Sequence, residues 1–272
     1  ISVSFIFLLF SSFTDSPLDP CANSKPANQT LHGLINTLPV QRLIVTSPSL
    51  NAAASYEIVL LVVSAIYERE ERAEIRRLWA DKEQSEMLNK SRVIFLVGRG
   101  SAVMEEARDH EDILQVDVDE TYRNMVYKIE SGFRWVREKV KSRFVAKIDS
   151  DTVVHIDRLF EQLQRVEKES SGDWLACFKF VHAPPIRDEC SPWFISSSDY
   201  SLDSFSSYCG GPGYVMRRSA FEKIVDTMKD HKVRGFVSDQ AVVEVEDAFF
   251  TAVVAADTVN LVCLQDVIVE RY

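Results

Sequence analysis

The sequence predicts an α/β domain with a mostly parallel central sheet flanked by helices, followed by a mixed second half. Three observations predict it. Apolar runs of strand length alternate with amphipathic helical segments from Tyr56 to Val166, the most strand-like of these runs end in acidic or glycine turns, and the alternation stops beyond Gly172. With 272 residues, 46% of them hydrophobic and 10% aromatic, the chain can bury a substantial core.

Taken in order, YEIVLLVVSAI from Tyr56 is a continuous apolar run suited to a strand buried on both faces. Glu70 to Trp79 is a strongly helix-forming stretch. Val93 to Val97 reads as a strand closing at Gly98, Ala102 to Arg108 as a short helix and Ile113 to Val116 as another strand. Across Thr121 to Lys139, Met125, Ile129, Phe133 and Val136 form one helical stripe. Phe144 to Ile148 is the central strand, and a helix follows from Ile156 to Val166. The second half holds a strand at Trp174 to Val181, a Pro-, Ser- and Asp-rich loop from Ala183 to Ser207, and the glycine-dense Tyr208 to Val215. It closes with helices at Arg218 to Lys229 and Glu246 to Ala256 and a strand at Val259 to Leu264.

Residues 1–13 open with a mostly apolar, uncharged run and read as the remnant of a signal-anchor; a cleaved signal peptide is the alternative. Residues 14–52, rich in Ser, Pro, Asn and Thr, read as a flexible stem, leaving 53–272 as the compact domain. The net charge of -10 excludes a nucleic-acid-binding surface, which needs a concentrated basic patch. Sequons at Asn28 and Asn89 are compatible with a secretory route. Cys190 and Cys209 flank one loop and either pair across it or stay as separate thiols.

Candidate chemistry centres on Asp149-Ser150-Asp151, placed where the central strand should end. Open α/β sheets bind ligands at such strand ends. Two carboxylates there attract a hard cation, Mn²⁺ or Mg²⁺, that keeps positions open for phosphate oxygens. The bland alternative is a solvated turn. Glu246-Asp247 is a second acidic pair: Asp247 could act as general base, or the pair could merely complement a helix dipole. Gly211 and Gly213 lie in a glycine-dense wall where backbone can approach a sugar, and Trp193 and Tyr208 could stack on sugar faces or anchor the loop.

Taken together and in order, these segments resemble glycosyltransferase family 31, the β-1,3-galactosyl- and N-acetylglucosaminyltransferases. Arg72 to Trp79 is similar to an R-x-A-I-R-x-T-W block, Phe95 to Gly98 to F-L-L-G, and Glu120 to Lys128 to a D-S-Y-x-N-L-T-x-K run. Lys147 to Asp151 resembles K-x-D-D-D with Ser150 in the middle. Tyr208 to Val215 resembles Y-C-x-G-x-G-Y-V, and Glu246 to Ala252 resembles E-D-V-F-x-x-G.

The resemblance implies a GT-A-like fold and inverting transfer of galactose or N-acetylglucosamine from UDP-galactose or UDP-N-acetylglucosamine. The acceptor would be a glycan hydroxyl on protein or lipid, and the linkage β-1,3. It implies Asp149 and Asp151 as metal ligands, Asp149 acting through ribose or metal-bound water, with Arg72, Arg76, Lys147, Asp149 and Ser150 near the nucleotide. Arg72 and Arg76 have an alternative as surface arginines facing glutamates. Asp247 would be the base, with Trp193, Tyr208, Gly211, Gly213 and Glu246 around the acceptor. It further implies a Golgi type II membrane protein with a lumenal catalytic domain. Family members supply a histidine metal ligand after the E-D helix, and none follows His231. The expectation is therefore that a C-terminal segment lies beyond Tyr272, that another group such as His155 ligates, or that the chain is an inactive, glycan-binding or chaperone-like descendant.

Overall fold

The computed structural model describes residues 43–46, 55–83, 85–228, 245–256, 258–264 and 267–270. The signal-anchor segment, most of the stem and the Asn28 sequon lie outside them. Among the described residues no helix is long and apolar enough to cross a membrane.

The architecture is α/β, as expected. An eight-stranded sheet runs β1 (Leu43–Thr46), β4 (Ile113–Val116), β3 (Ser91–Val97), β2 (Ser55–Val63), β5 (Lys141–Asp149), β8 (Tyr208–Arg217), β7 (Trp174–Phe180) and β9 (Asn260–Cys263). Strands β4, β3, β2 and β5 are parallel. The antiparallel β8 then joins β5, pairing Ile148 with Gly213 and Lys147 with Tyr214. That junction makes the second half mixed, and it lays the glycine-dense strand beside the acidic end of β5. Strand β1 falls inside residues 14–52, read from sequence as stem, yet pairs antiparallel with β4 at the sheet edge.

Residues alternate along β2 between two layers, which explains why its apolar run is unbroken. Val59, Leu61 and Val63 face α4 (Met125–Lys139) and α6 (Arg218–Thr227); Ile58, Leu60 and Val62 face α1 (Arg69–Leu78) and α5 (Ile156–Glu169). Gly132 lets α4 lie close on the sheet, since a Cβ there would meet Leu61 and Leu96 at 2.8 Å. Helix α4 starts at Met125, four residues after the expected Thr121, because Thr121 to Asn124 form turns.

Two short helices, α2 (Glu86–Asn89) and α3 (Met104–His110), flank β3. Asn89 of the second sequon is exposed at the end of α2. A small second sheet pairs β6 (Thr152–Val154) with β10 (Ile268–Glu270), neither of which the sequence pattern announced.

The expected helix from Glu246 is a π-helix over Ala248–Val254, with Asp247 at its start. Thr251 contributes to the wide turn by donating its hydroxyl to the Asp247 carbonyl at 2.5 Å, which diverts that carbonyl from the regular ladder.

The disulfide expectation is corrected. Cys209 pairs with Cys177, joining β8 to β7 with Cα atoms 5.6 Å apart. Cys190 is also in a disulfide, and its partner is not Cys209. Adjacent antiparallel strands bring Cα atoms to bridging distance, whereas proximity across a loop does not.

Candidate active site

The site forms where the end of β5 meets the start of the π-helix. Its centre is Lys147, whose side chain is fully buried and whose ammonium reaches three acceptors. It pairs with Asp149 Oδ1 at 2.8 Å, pairs closely with Glu246 Oε1, and donates to the Gly211 carbonyl at 3.3 Å. An isolated buried ammonium would be strongly disfavoured, so two carboxylates accompany it. Burial works to lower its pKa, but Asp149 and Glu246 together hold it above the ordinary lysine value. Lys147 is therefore an internal clamp between the end of β5 and the start of the π-helix, its ammonium directed at Asp149, Glu246 and the Gly211 carbonyl.

Asp247 is half-buried and held by backbone. Its Oδ1 accepts from Ala248 N at 2.7 Å and its Oδ2 from Gly211 N at 3.3 Å. Burial raises its pKa, while Lys147 and those N–H groups oppose the rise without cancelling it. The sequence reading expected the helix start to favour the ionised form; the N–H bonds do so, but desolvation wins. Glu246 is pushed up to about 7, by burial first, with Lys147 opposing and Asp149 and Asp247 adding. Burial likewise raises Asp149, against Lys147 and with Asp151 and Asp247 adding to the rise. Asp149 and Asp247, one from each half of the chain, thus lie within each other's field.

The acidic turn is fixed by its neighbours. Ser150 N bonds Val63 O at 3.1 Å, and its hydroxyl donates to Glu68 Oε2 at 2.8 Å. Glu68 also accepts from the Ser64 hydroxyl at 3.0 Å and Ala65 N at 2.8 Å. The Trp79 indole N–H donates to Thr152 O at 3.0 Å. Ser150 therefore anchors the turn through Glu68. An aspartate at this position would meet Glu68 with like charge. Asp151 stays exposed.

The surface alternative for Arg72 is corrected: its side chain is fully buried, with bonds to both Glu106 oxygens at 2.9 and 2.7 Å and to Ser64 Oγ, Ala65 O and Ile66 O. Arg76 pairs in a fork with Asp112 at 2.7 and 2.8 Å and reaches Glu106 at 2.8 Å. These bonds brace α1 against α3, nearer the glutamate-facing alternative than the nucleotide one.

Aromatic side chains border Asp247. Tyr208 has its phenol pushed up to about 12 by burial and by Asp247. Tyr122, within the Glu120 to Lys128 run, is likewise raised to about 12 by burial, then Asp247 and Glu246; the Trp193 indole N–H donates to its oxygen. Arg123 holds the two loops together by donating to Phe194 O at 3.1 Å. Tyr214 donates to Glu246 Oε2 at 3.4 Å. Thr251 accepts from Cys209 N at 2.9 Å, tying β8 to the π-helix. Periodicity carried no signal for Tyr122, Thr251 or Glu68, because their roles arise from loops that meet only on folding.

Asp149 and Asp151 offer hard oxygen donors suited to Mn²⁺ or Mg²⁺. Among the described residues no group of three or more histidine, cysteine or acidic side chains is placed to hold an ion. His155, the conceivable substitute ligand, is exposed at the start of α5 and joins no such group. Asp151 is exposed and the Asp149 side chain is 29% exposed, so solvent reaches both carboxylates.

A family model described as galactosyltransferase matches residues 70–258, from α1 through the π-helix. The chain belongs to the galactosyltransferase family. This family match lies inside the segment that resembles glycosyltransferase family 31 in sequence and contains Lys147, Asp149, Asp151 and Asp247. Human beta-1,3-galactosyltransferase 5 is 32% identical over 179 residues, covering 63% of this chain and 57% of that protein. The gorilla protein of the same name is 35% identical over 165 residues, covering 58% and 54%. Caenorhabditis elegans beta-1,3-galactosyltransferase bre-2 is 28% identical over 219 residues, covering 76% and 59%. The chain spans somewhat more than half the length of these galactosyltransferase relatives.

Proposed function

We propose that the protein is an inverting hexosyltransferase. It moves galactose or N-acetylglucosamine from a UDP-sugar to a glycan hydroxyl on protein or lipid and forms a β-1,3 linkage. One observation carries this reading: Lys147 ties the strand-end carboxylate Asp149 to Glu246, the residue before Asp247, so the two acidic sites share one cluster. Membership of the galactosyltransferase family and the names of the relatives support the same class of reaction.

In this reading Asp247 is the general base. Its backbone bonds fix the carboxylate and leave lone pairs for the acceptor hydroxyl, whose proton it takes as the oxygen attacks the anomeric carbon. A pKa above the ordinary aspartate value makes the carboxylate, once ionised, a stronger base. Trp193, Tyr122 and Tyr208 flank the acceptor sugar, and Gly211 and Gly213 keep β8 low beside it. Asp149 and Asp151 would hold the divalent ion. That ion, when bound, supplies Lewis-acid stabilisation of the departing diphosphate. Lys147 holds Asp149 in place, and Ser150 holds the turn through Glu68.

Residues 1–13 would anchor the protein in the Golgi membrane as a single-pass type II protein with the domain in the lumen. The exposure of Asn89 and the disulfides accord with that compartment.

The test is transfer from UDP-galactose and UDP-N-acetylglucosamine to a panel of simple glycosides, with products identified by mass, in Mn²⁺ and in EDTA. Transfer that requires the ion is the expected result. A protein that binds UDP with Mn²⁺ yet transfers to no acceptor overturns the reading.

A further inference from the structure

A row of aromatic side chains begins at the candidate site and runs outward along β7 and β8. Phe180 and Tyr208 are register partners on these antiparallel strands, so their side chains share a face. Their rings lie 5.3 Å apart, tilted by 31°. Phe178, two residues along on β7, meets Phe180 edge-on at 5.3 Å and 84°.

The row is continuous with the Asp247 site. A Cβ on Gly210 would meet the Phe180 ring at 2.1 Å, so this ring lies directly on the β8 backbone. The next residue, Gly211, donates its N–H to Asp247. The Tyr208 phenol lies in the field of the same carboxylate.

Away from Asp247 the row turns apolar and open to solvent. Phe180 is 42% exposed, Phe178 56% and Val181, next along the chain, 63%. Isolated exposed apolar residues are ordinary, but two exposed rings in contact at the edge of a binding site mark a surface that something covers. Phenylalanine side chains have no donor or acceptor to replace the water that a sugar hydroxyl would lose, so an apolar group covers the two rings at less desolvation cost than a second sugar.

We propose that Phe178 and Phe180 form an aglycone subsite, taking the apolar non-sugar group carried by the acceptor beyond its reacting ring. The inference rests on the acceptor-site reading above. A sugar seated beside Asp247 directs its substituent along β8 onto Phe180, and a linear hydrocarbon or aryl group then lies in the corner between Phe180 and Phe178. The subsite selects acceptors by what they are attached to as well as by their sugar.

The experiment compares methyl and hexyl β-glycosides of galactose and of N-acetylglucosamine, with the full chain and with Phe178→Ser and Phe180→Ser. Binding is read by ligand-observed NMR titration, which needs no turnover, and transfer is measured in parallel. The hexyl glycoside is expected to bind about tenfold more tightly than its methyl counterpart, the order given by burying two or so methylenes. Phe178→Ser should bring the ratio close to one. Its side chain is 56% exposed, so it guards against a Phe180→Ser protein that fails to fold.

Equal binding of hexyl and methyl glycosides overturns the inference, as does a preference that survives Phe178→Ser. Sedimentation of the same proteins tests one rival occupant: self-association abolished by Phe178→Ser, without a glycoside preference, would assign the row to a second copy and overturn the proposal. A hexyl preference in binding without any transfer would uphold the subsite and sink the enzymatic reading, so the two failures are distinguishable.

Discussion

Lys147 and Glu246 form a buried ion pair that joins the central strand to the residue preceding Asp247. Because Lys147 also pairs with Asp149, one ammonium sets the spacing between the proposed metal side and the proposed base side.

Asp247→Asn tests the base directly. The amide keeps the side chain's shape but cannot take a proton. Transfer is expected to fall by about 10²–10⁴-fold. Binding of UDP with Mn²⁺, followed by calorimetry, should persist. Full transfer by the variant would remove Asp247 from the mechanism.

Asp151→Asn probes the ion site without disturbing the core, since Asp151 is exposed. It should raise the Mn²⁺ concentration needed for half-maximal binding, read by paramagnetic resonance of the free ion, while leaving the thermal midpoint within about 1 °C, as expected for a surface change. An unchanged Mn²⁺ titration would exclude Asp151 as a ligand.

At Ser150 the chemistry of the neighbour decides which substitution is tolerated. Ser150→Ala removes one hydrogen bond to the Glu68 carboxylate and should cost about 1–2 kcal/mol in denaturant unfolding. Ser150→Asp should cost more, because it sets two carboxylates against each other. The reverse order would show that Glu68 does not hold the turn.

The pH dependence of stability follows from Glu246. Its folded pKa of about 7 exceeds that of an unfolded glutamate, so the folded state binds the extra proton. Its contribution favours folding most below the ordinary carboxylate range and declines as pH rises towards about 7. Lys147, raised from an already high value, does not titrate there and adds no slope in this window. Thermal midpoints from pH 5 to 8 should therefore fall with a component that Glu246→Gln removes. An identical slope in the variant would refute the assignment.

For catalysis the sign is opposite. The base must be ionised, and burial raises the Asp247 pKa. The acid limb of transfer rate against pH should thus lie above the range of an ordinary exposed aspartate. An acid limb at or below that range would argue against Asp247.

Local pattern carried most of the parallel half. β2 and β4, α4 and α5 all follow from apolar runs and helical stripes, because burial on one or both faces imposes a period that can be read along the chain. The acidic end of β5, the Glu246-Asp247 pair and the family resemblance were likewise written in consecutive residues. Tertiary structure alone decided how those pieces meet. The antiparallel insertion of β8 beside β5 brought Gly211 to Asp247 and Lys147 to Glu246, and it brought Cys209 to Cys177 instead of Cys190. Contacts within the parallel half turned Arg72, Arg76 and Ser150 onto Glu106, Asp112 and Glu68. A sequence shows that a side chain carries charge or donors, but whether they are spent inside the protein or kept for a ligand depends on partners dozens of residues away. Those partners become neighbours only when the sheet closes.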